Sequence, residues 1–165
     1  MGRFRASRDF AYALTFAMRL AEAQGSRAIG VRHLLGGIYI AVAEKLYKYW
    51  TDPDKLDDFM IDECGVVDPR YVYWVEAAKR PGAGGGEEFA IFKNQSEDLL
   101  RVWLTAADVA RPGTADPNGT PVMCPQDFLL AVAKHPELQV AQRLLASGMD
   151  LKRLEEDAGK LRRRL

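Results

Sequence analysis

Residues able to carry out chemistry are few and scattered in this 165-residue chain. His33 and His135 stand far apart, and neither Cys64 nor Cys124 has a second cysteine at ligand spacing. A structural zinc site needs four such groups, arranged in close pairs, so no metal site is expected. Cys124 stands just before Pro125, where a helix start could lower a thiol pKa. No base accompanies it, so a small buried side chain is the better reading. No nucleophile motif such as G-x-S-x-G surrounds any serine. "GAGGGEEF" lacks the lysine and hydroxyl of a phosphate loop, and acidic residues follow its glycines. It reads as a linker. No catalytic residue and no cofactor are expected.

"IGVRHLLGGI", residues 29–38, admits three readings: a phosphate loop, a metal site around His33, or the entry to a packed helix. The third fits best, with His33 partly buried and hydrogen-bonded at the helix start. Leu34, Leu35 and Ile38 then face inward. Gly36 and Gly37 cost about 1 kcal/mol each relative to alanine. Close approach of a neighbouring helix would offset that cost.

The elements that must hold these residues are helical. Phe10, Ala13, Leu14, Ala17, Leu20 and Ala21 share one face of a helix over 7–24, capped by Ser7 and stopped by Gly25. Apolar spacing predicts a second helix from Leu34 to Leu46, broken at "YWTDPDK", and a third from Leu56 to Cys64, closed by Gly65. Asp68 and Pro69 open a fourth, to about Lys79. Beyond the linker come Glu97 to Ala110 after Ser96, Pro125 to Ala133, Leu138 to Ala146 stopped by Gly148, and Leu151 to Leu161. A turn-rich loop spans Arg111 to Pro121. No strand alternation stands out, so the fold class is all-α.

Composition narrows the function. Lys plus Arg and Asp plus Glu both number 23, giving zero net charge. That offers no electrostatic case for nucleic acid or membrane partners. Arg162 to Arg164 are expected to offset a helix dipole. No apolar run approaches the roughly 20 residues of a membrane span, and the N-terminus lacks a signal-peptide core. A soluble cytoplasmic protein with reduced thiols is expected. Aromatics gather in "YKYW" and "YVYW", where core packing is the first expectation and a protein-binding surface the second.

The halves align with each other. Ser7 meets Ser96, Phe10 meets Leu99, Ala17 meets Ala106 and Ala21 meets Ala110. "RHLLGGI" meets "QDFLLAV", setting His33 on Asp127, and Gly65 falls on Gly148. Neither half buries its apolar face well alone. One domain over 1–165 is expected, as a pseudo-twofold tandem of two four-helix units. Repeat one covers about 7–79, the linker about 80–95 and repeat two about 96–161.

Ser7, Ala17, Ala21, Gly25, "IGVRHLL" and the Gly65 turn resemble the Clp N-terminal repeat, found in tandem at the front of Clp-type AAA+ unfoldases. The resemblance implies a non-catalytic module that receives adaptor proteins or substrate segments, alongside an AAA+ unfoldase ring. The alternative is a stand-alone regulatory or scaffolding protein that kept the fold. Some family members bind phosphorylated arginine through a hydroxyl at the first-helix start and a Glu in the second. Those positions are Ser7 and Ser96, and Arg32 and Gln126. A guanidinium needs a carboxylate partner, and Arg32 repels it. Phosphoarginine is therefore not the expected ligand, and Arg32 is expected to favour an acidic peptide or a helix carboxylate instead. The segments at residues 46–58 and from Arg111 to Pro121 depart from the compact repeat and are candidates for a partner surface.

Overall fold

The computed structural model describes residues 5–66, 95–110 and 122–164, with side chains as far as residue 160. The expected helix at Asp68–Lys79, nearly all of the linker at 80–95, the loop from Arg111 to Pro121, "YVYW" and the side chains of Arg162 to Arg164 lie outside the described residues. The chain is mostly helical. Its order is β1 (Arg5–Ala6), α1 (Arg8–Ala23), α2 (Val31–Leu46), a 3-10 turn (Tyr47–Tyr49), α3 (Pro53–Asp62), α4 (Glu97–Ala110), β2 (Val122–Met123), α5 (Pro125–Ala133), α6 (Gln139–Ala146) and α7 (Leu151–Arg164). The short strands escape sequence reading because two residues cannot display an alternation. Among the described residues, no helix is long and apolar enough to cross a membrane.

Local chemistry explains the boundaries. The Phe10 N–H donates to Ser7 Oγ at 3.2 Å, and the Leu99 N–H donates to Ser96 Oγ at 3.1 Å. Each serine satisfies an orphan donor of its helix. α2 starts at Val31, ahead of the aliphatic run, because His33 Nδ1 accepts the Gly30 N–H at 2.9 Å. α3 starts at Pro53, ahead of the expected Leu56, because Asp52 accepts the Asp54 N–H and proline suits a first helical position. The chain turns at Gly25, Gly65 and Gly148 with φ of 68°, 70° and 91°, a region costly for any side chain.

The core is shared between distant segments. Phe10, with no exposed surface, stacks on Trp103 at 5.7 Å and packs against Phe128 at 6.3 Å. Burying a side chain of this size contributes about 2–3 kcal/mol. The double glycine of α2 sits where α1 comes closest. A Cβ on Gly37 would lie 2.2 Å from the Ala13 carbonyl oxygen, and one on Gly36 would lie 2.5 Å from Leu20 Cδ2. This close approach is the compensation expected from the sequence.

Two pairings tie the ends of these helices together. β1 runs parallel to β2, with Arg5 opposite Val122 and Ala6 opposite Met123. A parallel bridge joins Ile29 to Gln95. The Ser7 N–H donates to the Met123 carbonyl, and the Ser96 N–H to the Ile29 carbonyl, both at 2.9 Å.

The segment after α2 packs inward. Tyr49 and Trp50 are buried. Trp50 bridges Met149, and its indole N–H donates to Ser147 Oγ at 2.8 Å. The Asp150 N–H donates to the Tyr49 carbonyl, and Arg153 donates to that of Lys48 at 3.0 Å. Tyr39 and Tyr47 hydroxyls both donate to Asp57 Oδ1, at 2.5 and 2.9 Å. Residues 47–51 thus fasten the chain's own C-terminal segment.

Candidate functional site

The two pairings sort the four candidate residues crosswise. β1 and β2 set the start of α1 beside the start of α5, so Ser7 shares a cleft with Gln126. The Ile29–Gln95 bridge sets the start of α4 beside that of α2, which carries Arg32. Ser96 Oγ lies 3.7 Å from where a Cβ on Gly30 would stand. Each joint therefore takes its serine from one half of the chain and its second candidate from the other.

The first cleft encloses about 600 Å³. Arg8, Lys45, Lys48 and Lys160 line it, against two carboxylates, Asp9 and Asp157. Lys45 pairs with Asp9 at 2.7 Å, and Lys48 pairs with Asp157 at 2.9 Å. The Lys48 hydrogen bond holds the Asp157 carboxyl below the usual carboxylate range, and the same bond raises Lys48. Two cations remain in excess, Arg8 and Lys160. Arg8 lies over the Tyr12 ring and donates to its hydroxyl. The starts of α1 and α5 add the positive ends of two helix dipoles. Gln126 is buried but neutral, so it brings no carboxylate for an incoming guanidinium. The Asp127 carboxylate beside it accepts the Cys124 N–H at 2.9 Å. The site chemistry thus favours an anion over a cation.

The second joint is internally paired. Arg32 is half exposed and lies 3.6 Å from Glu63, which also accepts from Arg143. His33 Nδ1 holds the Gly30 N–H, so the ring proton sits on Nε2 and is donated to Gln24 Oε1 at 3.0 Å. Gln24 in turn donates to the Cys64 carbonyl. Burial, and next the Arg32 cation, push the His33 pKa down. Burial pushes the Cys64 thiol up to about 12, which leaves it unreactive. Cys124 is likewise buried.

The sequence singled out Ser7, Arg32, Ser96 and Gln126, but not the cations of the first cleft. Lys45 and Lys48, one turn apart at the end of the second aliphatic run, were the available signal. Their meeting with Asp9 and Asp157 depends on long-range packing. Among the described residues, no group of three His, Cys, Asp or Glu side chains could hold a metal. No family model matches the chain, and no curated protein matches it significantly.

Proposed function

We propose that this chain is a non-catalytic protein-binding module, built from two like helical halves and resembling the N-terminal domain of Clp-type unfoldases. Paired features support the duplication. Ser7 and Ser96 cap equivalent helices, and each donates its own N–H to the residue two before the next helix of the opposite half. His33 and Asp127 accept the N–H of Gly30 and Cys124 at equivalent helix starts. Gly65 and Gly148 turn the chain at equivalent positions.

The carrying observation is the first cleft, a cavity of about 600 Å³ between two helix starts with more cations than carboxylates. Its occupant in this reading is an acidic segment of an adaptor or substrate protein, offered to an unfoldase ring. A carboxylate side chain meets Lys160 and Arg8, in a cleft whose cations outnumber the Asp9 and Asp157 carboxylates that line it. Anisotropy titration of a labelled Asp/Glu-rich peptide against a Lys/Arg-rich one tests this. The acidic peptide binds more tightly, and Arg8→Glu with Lys160→Glu weakens it by about tenfold, or roughly 1.4 kcal/mol. Equal binding of both peptides to the wild-type protein, or undiminished acidic-peptide affinity in a variant that keeps its helical circular dichroism, would remove the proposal.

A further inference from the structure

Thr105, His135 and Glu137 form a hydrogen-bonded line outside the Ser7–Gln126 cleft. Thr105 Oγ1 lies 2.7 Å from His135 Nε2, and His135 Nδ1 lies 2.8 Å from Glu137 Oε1. Three structural elements set this geometry. Thr105 is half-buried on α4. His135 is rooted in the turn between α5 and α6, where its N–H donates to the Val132 carbonyl and its own carbonyl accepts from Leu138, both at 3.0 Å. Gln142 fixes the next residue by donating to the Pro136 carbonyl at 2.7 Å.

Proton positions follow from the partners. The His135 bond holds the Glu137 carboxyl below its usual range, so Glu137 is an anion that only accepts. His135 Nδ1 therefore carries a proton. In the neutral ring, Nε2 is then a bare lone pair, and the Thr105 hydroxyl donates to it. The other acceptor in reach, the Arg101 carbonyl, is farther away at 3.3 Å. A hydroxyl on a base that is oriented by a third group is the arrangement of an activated nucleophile. Thr15 provides an internal comparison. Its hydroxyl makes the same backward bond, to the Ala11 carbonyl at 3.2 Å, and no imidazole is bonded to it.

We propose that Thr105 is an activated hydroxyl that accepts an acyl group from small activated donors such as phenyl esters, thioesters and acyl phosphates, with His135 as its base. The Thr105 Oγ1–carbon bond forms as the hydroxyl proton passes to His135 Nε2. The bond from the acyl carbon to the leaving group then breaks, and the imidazolium proton goes to the departing group. Glu137 is a positioning residue that keeps Nδ1 protonated and the ring turned toward Thr105. Arg101, one turn earlier on α4 and paired with Asp98 at 2.7 Å, brings a cation to the same face.

The test is acylation of the intact protein by p-nitrophenyl acetate, followed by peptide mass mapping. Thr105 labels at least about a hundredfold faster than Thr15, the scale of general-base assistance. His135→Gln reduces Thr105 labelling to the Thr15 rate, Glu137→Gln lowers it toward that level, and Thr105→Ser retains it. Equal labelling of Thr105 and Thr15 in the wild-type protein would overturn the proposal without reliance on any variant. So would undiminished Thr105 labelling in a folded His135→Gln protein.

Discussion

Ser7 beside Gln126 and Ser96 beside Arg32 are the same backbone joint made with different chemistry. In each, a serine caps a helix and its N–H donates to a carbonyl at 2.9 Å. In the first joint the neighbouring helix start is held by the Asp127 carboxylate, and the cleft is open and rich in cations. In the second it is held by the His33 imidazole, and the arginine is already paired with Glu63. Backbone geometry can stay constant while side chains decide what each joint accepts. The joint depends on main-chain donors and acceptors, which substitution leaves in place.

The largest contrast lies behind the joints, in the helix packing. Gly37 of α2 and Ala131 of α5 hold matching positions, and Gly37 lies against the Ala13 backbone with no room for a Cβ. Gly37→Ala should destabilise the fold by about 3 kcal/mol or more, because rigid backbone cannot yield to the added methyl. Ala131→Gly should cost about 1 kcal/mol from helix propensity, plus a little lost packing. Urea midpoints of the two variants measure the difference. Equal losses would mean that the two helix pairs approach equally closely.

The cap acceptors come next. Asp127 is 1% exposed and holds its N–H with a charge, whereas His33 is half-buried and neutral. Asp127→Ala should cost about 2 kcal/mol, and His33→Ala about 1 kcal/mol. Urea unfolding of each variant is the measurement, and a reversed order would break the assignment of Asp127 as the stronger cap.

The same pair should differ in its response to acid. Because the folded His33 pKa lies below the ordinary 6.5, the unfolded chain binds a proton in a range where the folded chain does not. Stability therefore falls as pH drops through about 6.5, and it levels off below the folded value. Protonation also puts a hydrogen on Nδ1, facing the Gly30 N–H. His33→Gln cannot titrate, so its stability at about pH 5.5 relative to about pH 7.5 should fall less than that of wild type. Identical pH slopes would show that His33 titrates normally in the folded protein.

Local signals in the sequence carried much of this structure. Ser7, Ser96, Pro125 and the turns at Gly25, Gly65 and Gly148 each act within one helical turn, and such residues announce themselves by type. The role of His33 was legible for the same reason, since it bonds three residues back. Crosswise assembly was not legible. Ser7 meets Gln126, rather than Arg32 of its own half, through a strand pair only two residues long. At the leading end of the candidate surface at residues 46–58, Trp50 turns inward, to a partner, Ser147, far along the chain. The kink at Val42, with φ −140° and ψ 31°, has no proline or glycine at that position to announce it.

The smallest expected effect separates the two joints as binding sites. Arg32 is the residue that the sequence marked for acidic partners, yet it already faces Glu63. An incoming carboxylate must compete with that pair, or share a guanidinium whose charge is partly offset. Arg32→Glu removes a half-exposed ion pair worth about 0.2–1 kcal/mol, while Arg143 still holds Glu63. Acidic-peptide affinity should therefore fall by only about threefold, roughly 0.6 kcal/mol. The paired change Arg8→Glu and Lys160→Glu acts where cations are in excess, so its effect should be clearly larger. Titrating one acidic peptide against both variants ranks the two joints directly. If Arg32→Glu weakened binding as much as that paired change, the second joint would be an equal partner, and the asymmetry drawn from Glu63 would fail. No change at all with Arg32→Glu would confine recognition to the cleft between Ser7 and Gln126.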